Sequence, residues 1–350
     1  MSCPSDGTSS ADTELVTIRA VGDIVLGSDW PTSHYPPDFE KTAARRLSET
    51  LGHADIVFGN FEGTMTTYDV STKVPHGGSV FAFRMPPSFA PLLRNAGFNV
   101  LHISNNHTYD FGERGFHDTL RYLTEAGIHT VGERDRVTLQ RVRGVTVAWV
   151  GFNYSLRHNF IGDDEKLVEL IRSARHQADL VIVSVHAGAE GNEALRVVDH
   201  DETFLGENRR NVFAFARRAV DLGADLVLGV GPHVVRGLEC YKGKLIAYSL
   251  GNFVGYNALS IRNAAAVSMM LEVSLSHDRR TVAFDVIPLR FSEDRFPLRD
   301  SDEQLARFLL NDLSHRPPLN GTVQLPVPDA GTAAYRGWID AAGLGKFIGD

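Results

Sequence analysis

Short β-branched runs alternating with helical periodicity, glycines that close the helical stretches, and two late hairpin signatures mark this chain as an α/β sandwich with mixed sheets. LVTIRAVGDIVLG (15–27) reads as a buried strand ending in a glycine turn, and FEKTAARRLSETLG (39–52) as an amphipathic helix stopped by Gly52. DIVFGNFEG (55–63) reads as a strand. It is followed by a Gly/Pro-rich excursion from Thr64 to Pro87, long enough to suggest a functional loop and a candidate substrate cover. Helix SFAPLLRNAG (88–97), strand FNVLHIS (98–104), helix ERGFHDTLRYLTEAG (113–127) and short strand IHTVG (128–132) continue the alternation. After RVRGVTVAWVGFN (141–153) come helix EKLVELIRSARHQA (165–178), strand DLVIVSVHAG (179–188), helix NRRNVFAFARRAVDLG (208–223) and strand ADLVLGVG (224–231). The last third changes character, with hairpins turning at Lys242-Gly243 and at Asp278-Arg279. Beyond Phe296 the chain turns polar and Pro/Gly-rich without clear periodicity. The expected organisation is a leader over 1–14, one domain over 15–295, and a tail or lid over 296–350.

The 350 residues are 43% hydrophobic and 22% charged, which excludes a globally disordered chain. A net charge of −8 argues against tracking a nucleic-acid backbone. The two cysteines, Cys3 and Cys240, suggest no disulfide framework, because Cys3 sits in a Ser/Gly/Asp-rich leader not expected to pack. With no apolar segment near the roughly 20 residues a membrane helix needs and no signal-peptide pattern, the expectation is a cytoplasmic protein. The NGT at Asn320 matches a glycosylation sequon, read as chance for want of a secretory route.

Polar residues recur where the strands end, the edge at which α/β sheets bind ligands. They are Asp23 in GDIVLG, Asn60 and Glu62 in GNFEG, Asn105, Asn106 and His107 in SNNHTYD, His186 in SVHAG, His233 in GVGPHVV and Asn252 in SLGNF. Singly, each has a bland reading as a turn former or a hydrogen-bonded rim residue. Jointly, carboxylates, amide oxygens and imidazoles suit a divalent Mn, Zn, Fe or Mg ion, whereas a soft-metal site would call for thiolates. Arg84, Arg157 and Arg236 are candidate anion binders whose default reading is a rim or surface arginine.

The series GDIVLG, GNFEG, SNNHTYDFGERGFHDTLRYLTEAGI, VSVHAGAE and GADLVLGVGPHVVRGLECYKGKLIAYSLGNF resembles the CapA family of poly-γ-glutamate capsule biosynthesis proteins, relatives of calcineurin-like metallophosphoesterases. The resemblance runs from about Thr17 to Val254. It implies a four-layer α/β/β/α sandwich with one or two metals at the sheet edge. It gives Asp23 and His233 to one ion, Asn106 and His186 to the other, and makes Glu62 the bridge. It makes His107 the group that protonates a leaving group, oriented by Asp110. The residues expected to bind substrate are Asn60, Asn105, Tyr109, Arg84, Arg236 and Asn252. The chain departs from the pattern at Val25, Ala187 and Tyr109, and at Val230 and Gly231, where the family usually carries imidazoles. Each expected metal position is thereby short of one ligand. The expected function is a soluble metal-dependent enzyme acting on a small phosphoester, amide or carboxylate-bearing substrate, by hydrolysis or a tailoring step such as cyclisation or dehydration. The alternatives are a poly-γ-glutamate biosynthesis component acting on an acidic peptide-like chain, or a non-catalytic binding protein.

Overall fold

A computed structural model describes residues 1–3, 15–73, 81–329 and 331–348. Most of the expected leader, and residues 74–80 of the Thr64–Pro87 excursion, lie outside the described residues. Two sheets form the centre of the molecule. The larger runs in the order Pro297–Arg299, Thr281–Phe291, Ser268–Ser276, Leu15–Val25, Ile56–Phe61, Val100–His102, His129–Val131, with Asn252–Gly255 pairing beside the end of Leu15–Val25. The smaller runs Val235–Tyr241, Lys244–Leu250, Leu226–Val230, Leu180–His186, Val145–Asn153, Thr138–Val142. In the larger sheet Leu15–Val25 through His129–Val131 pair in parallel, and Ser268–Ser276 and Thr281–Phe291 antiparallel. In the smaller, Val145–Asn153 through Lys244–Leu250 pair in parallel and the two edge strands antiparallel, so both sheets are mixed as expected.

Period-two alternation divides each strand between two layers. Ile18, Ala20 and Phe58 of the larger sheet meet Trp149, Ile182 and Leu228 of the smaller, and the Phe58 and Trp149 rings stack 5.3 Å apart. The opposite faces carry helices. Phe39–Leu51, Phe89–Ala96 and Gly112–Glu125 cover the larger sheet; Asp164–Gln177 and Val212–Leu222 cover the smaller. Helix Phe39–Leu51 buries Phe39, Ala43, Leu47 and Leu51, one residue per turn, and Gly52 stops it at φ +61° while its N–H bonds Ser48 O. Asp163 and Asn211 cap the two helices of the smaller sheet through the backbone N–H groups of Lys166 and Ala214. The four-layer α/β/β/α arrangement follows.

At one point the chain crosses between the sheets. It leaves the smaller at Leu250, turns at Gly251 (φ +71°) and enters the larger at Asn252. The Gly251 carbonyl accepts from Asp23 N at 2.9 Å and lies against Gly22, where a Cβ would sit 1.7 Å from that oxygen. The register shifts there on both sides of Asp23, so Asp23, Asn60 and Asn252 become cross-strand neighbours. In the smaller sheet His186 pairs with Val230 and Asn153.

Two expectations are corrected. The segment after Phe296 is not without periodicity: helix Leu305–Ser314 inserts Ala306, Phe308, Leu309, Leu310 and Leu313 into the core between the sheets, and Gly331–Ala341 packs on it. It closes an edge of the sandwich, and among the described residues none beyond Ser260 lines the cavity described below. Cys3 does pack: it is 4% exposed and disulfide-bonded to Cys240. The reason is tertiary and could not be read locally, because Cys240 lies at the end of Val235–Tyr241, 237 residues away. Disulfides persist in oxidising compartments, so this pairing gives no support to the expected cytoplasmic location. Among the described residues no helix is long and apolar enough to cross a membrane.

Candidate metal centre

The strand ends converge. Asp23, Glu62 and His233 each present a ligand atom within 4.8 Å of the others, the only such group of three or more His, Cys, Asp or Glu side chains among the described residues. Asp23 and Glu62 are fully buried. His233 adopts φ +60°, a left-handed conformation that costs a non-glycine residue about 1 kcal/mol or more and is characteristic of functional sites. Its Nδ1 lies 3.0 Å from Asp23 Oδ2 and 3.0 Å from Asn252 Oδ1; its Nε2 lies 3.7 Å from both Glu62 Oε1 and Glu190 Oε2.

Charge is concentrated here without balance. Burial, then the neighbouring Asp23 and Glu190 carboxylates, push the Glu62 carboxyl well above the usual range, against the pull of His233. Burial lowers the His233 imidazole, but Glu62, Asp23 and Glu190 outweigh it and push it up to about 10. Both Glu62 oxygens, Asn106 Oδ1 and His186 Nε2 are buried without a hydrogen-bond partner, and Asp23 Oδ2 has His233 Nδ1 at 3.0 Å. Such partnerless atoms are rare in folded proteins and costly, and a cation removes the cost of the buried oxygens. The residues fit a divalent ion of the oxygen-and-imidazole kind.

Asn60 ties the strand ends together. Its Nδ2 donates to Asp23 Oδ1 at 2.8 Å and reaches His186 Nδ1 at 3.3 Å, while its Oδ1 accepts from Asn105 Nδ2 at 3.1 Å. Asn105 shapes the loop that follows: its Nδ2 also donates to Phe61 O and its Oδ1 accepts from His107 N. That loop carries His107, whose Nδ1 lies 2.8 Å from Asp110 Oδ2 and whose ring packs on Phe83 at 4.3 Å. Asp110 also accepts from Phe83 N and pairs with Lys73 Nζ at 3.2 Å; Lys73 in turn donates to Asn106 O.

A cavity of about 670 Å³ opens over this floor. Asn105, Asn106, His107, Tyr109 and His233 line it, with Arg157 over the Tyr109 ring at 4.7 Å. Asn60 and Asn252 are buried beneath, engaged with His186 and His233. Arg84 and Arg236, expected to bind substrate, are not brought into the cavity. Arg84 pairs with Asp29 at 2.6 Å, and Arg236 is wholly buried with its guanidinium held by Glu202 at 2.7 Å and by Ala189 O. A buried guanidinium needs a carboxylate, and that partner consumes it.

Sequence reading missed Lys73, Glu190, Arg209 and Tyr154. Glu190 stands in VSVHAGAE, the string that singled out His186, and was legible there. Arg209 was not: it lies on the hairpin Glu202–Phe204 and Glu207–Arg210, bonded to Glu190 at 2.6 Å and to Glu207 at 3.1 Å, and stacked on Tyr154 at 4.2 Å.

Known proteins share this sequence pattern. Capsule biosynthesis protein CapA of Bacillus anthracis is 30% identical over 305 residues, 81% of this chain and 69% of that protein. PGA biosynthesis protein CapA of Bacillus subtilis (strain 168) is 32% identical over 269 residues, 69% of this chain and 63% of that protein, so the chain spans about two thirds of these relatives. Among solved structures, a hypothetical protein from Thermus thermophilus superposes with a TM-score of 0.46 at 17% identity, covering 78% of this chain and 99% of that one. Residues 17–257 match the sequence model described as "Bacterial capsule synthesis protein PGA_cap", a span that contains every residue of the metal centre, and the chain belongs to that family.

Proposed function

We propose that the chain is a metal-dependent enzyme acting at a phosphoryl or carbonyl centre of an anionic substrate, in poly-glutamate or capsule biosynthesis. The observation that carries this reading is the meeting of Asp23, Glu62 and His233 with ligand atoms within 4.8 Å of one another, both Glu62 oxygens being buried and partnerless. Asp23, Glu62 and His233 would hold the ion. When bound, it supplies Lewis acidity to an oxygen of the substrate and acidifies a water.

The chain's own residues supply the rest. Asp110 accepts the Nδ1 proton of His107, which leaves Nε2 free to take or give a proton at the cavity wall. Phe83 N and Lys73 fix the Asp110 carboxylate, and the Phe83 ring fixes the imidazole plane, so the pair is rigid before substrate arrives. Arg157 gives the cavity wall a cationic group suited to carboxylate or phosphate, while Lys73 and Arg209 line it already paired with Asp110 and with Glu190 and Glu207. Participation in poly-glutamate or capsule biosynthesis is supported by the likeness to the capsule and PGA biosynthesis proteins CapA of the two Bacillus species.

The test is elemental analysis of protein expressed in Mn- and Zn-supplemented medium, with turnover of phosphoester, amide and γ-glutamyl substrates by wild type and His107→Ala. Bound metal, together with a roughly 10²- to 10⁴-fold loss in His107→Ala, is expected for a general acid–base. Metal-free wild type, or equal turnover by both proteins, would overturn the reading.

A further inference from the structure

Resting on the metal-centre reading, we infer that this chain holds a single ion, at Asp23, Glu62 and His233, and that His186 is an N–H donor and not a ligand of a second ion. The two histidines end neighbouring segments and look alike in sequence. Their hydrogen-bond partners set them in opposite tautomers.

For His186 the deciding group is the Asn60 amide. Its orientation is fixed from both sides. Nδ2 faces the Asp23 carboxylate at 2.8 Å and Oδ1 faces the Asn105 Nδ2 at 3.1 Å, so exchanging the two would oppose oxygen to carboxylate and nitrogen to nitrogen. One of the two Nδ2 protons goes to Asp23. The other is directed to His186 Nδ1, which must accept it. A neutral imidazole that accepts at Nδ1 carries its proton on Nε2, and that nitrogen then has no lone pair for a metal. His186 Nε2 is accordingly a buried N–H without a partner in the fold.

For His233 the deciding groups are Asp23 and Asn252, whose Oδ2 and Oδ1 each lie 3.0 Å from Nδ1. The Asn252 Nδ2 donates to Ser260 O at 3.0 Å, so its Oδ1 faces His233 Nδ1 as an acceptor. The proton His233 keeps on binding a metal is therefore at Nδ1, and its Nε2 lone pair is left for the ion beside Glu62 and Glu190.

Sterics add an independent constraint. Gly231 has φ +104°, and a Cβ there would lie 2.8 Å from both Cε1 and Nε2 of His186. The His186 ring leans into the volume that a side chain at 231 would need. Of the nitrogens that a second ion would use, one is absent at 231 and the other is protonated at 186. What remains is Asn106 Oδ1 and the second oxygen of Glu62, a carboxylate already committed to the first ion, a pair without an imidazole and too little to dehydrate a second divalent cation.

The experiment is Mn(II) titration of the metal-stripped protein, followed by elemental analysis and electron paramagnetic resonance, on wild type, His186→Gln, His186→Ala and Glu62→Gln. Circular dichroism melts establish that each variant is folded, and the conservative His186→Gln serves if the alanine variant is not. The expected result is one Mn per chain with an uncoupled six-line spectrum, unchanged stoichiometry in both His186 variants, and an affinity drop on the order of 10- to 100-fold in Glu62→Gln. Two ions per chain, an exchange-coupled spectrum, or loss of stoichiometry in His186→Gln would overturn the inference while leaving the metal reading intact. A wild type that binds no metal would overturn both.

Discussion

Gly22→Ala would meet the closest contact of any glycine among the described residues. The added methyl would begin 1.7 Å from the Gly251 carbonyl oxygen and 2.7 Å from its carbon. An ordinary carbon–oxygen contact is about 3.3 Å or longer, so the two backbones must part by roughly 1.5 Å. No flexible side chain stands between them to absorb the shift. Overpacking of this kind costs about 1–3 kcal/mol, and losing the Asp23 N–H bond to Gly251 O adds about 1 kcal/mol. The expected destabilisation is about 2–4 kcal/mol, a large fraction of the roughly 5–15 kcal/mol that holds a domain together. Because Asp23 is the next residue, metal affinity should fall in the same variant. Urea unfolding followed by circular dichroism reads the first effect and Mn titration the second. A change below about 1 kcal/mol with metal affinity intact would refute the claim that this crossing is close-packed and positions the site.

Two further outcomes follow from the same coordinates. Gly337, inside helix Gly331–Ala341, is exposed, lies outside the left-handed region and has nothing within 4 Å of its missing Cβ, so Gly337→Ala should stabilise the protein by about 0.5–1 kcal/mol in urea unfolding; a loss would place that helix wrongly. Acid should destabilise the fold before its carboxylates titrate. His102 is wholly buried, with Ser184 Oγ at Nδ1 (2.7 Å) and Ser104 O at Nε2 (2.8 Å), and burial pushes its pKa down to about 4. The folded value lies below the unfolded value of 6.5, so this contribution is complete above pH 6.5 and is lost as pH falls towards 4. It amounts to about 3 kcal/mol when fully lost, and urea midpoints of wild type and His102→Gln between about pH 7 and 4.5 should converge; parallel curves would refute it.

Much of the fold was legible because strands and helices announce themselves locally. Phe39, Ala43, Leu47 and Leu51 repeat at helical spacing and Gly52 ends them; Lys242 and Gly243 adopt φ +49° and +74° in the hairpin turn that their sequence signalled. What was not legible depends on partners distant in sequence. Nothing around Leu250 says that the chain changes sheets at Gly251, and nothing around Cys3 names Cys240. The helix Leu305–Ser314 has an ordinary apolar face, but the proline-rich stretch after it obscured the pattern, and only its burial between the sheets identifies it as core.

The site divides along the same line. Residue types at strand ends are local facts, which is why Asp23, Glu62, Asn106, His107 and His233 could be picked out, and Asp110 could be matched to His107 three residues away. Roles are not local facts. His186 and His233 both follow buried strands, both lie against polar neighbours, and both would pass for ligands by type. One is turned into a donor by an asparagine that must also serve Asp23 and Asn105; the other is turned into an acceptor towards the cavity by an asparagine that must also serve Ser260 O. Arg236 and Arg209 repeat the lesson for cations: Glu202 withdraws the first from the cavity, while Glu190 and Glu207 hold the second at its wall. In a buried polar cluster each group has a fixed number of protons and lone pairs, so assigning one residue constrains the next. Gly231 therefore does more than lack a ligand, because it leaves the space into which His186 settles, with Asn60 at its other nitrogen.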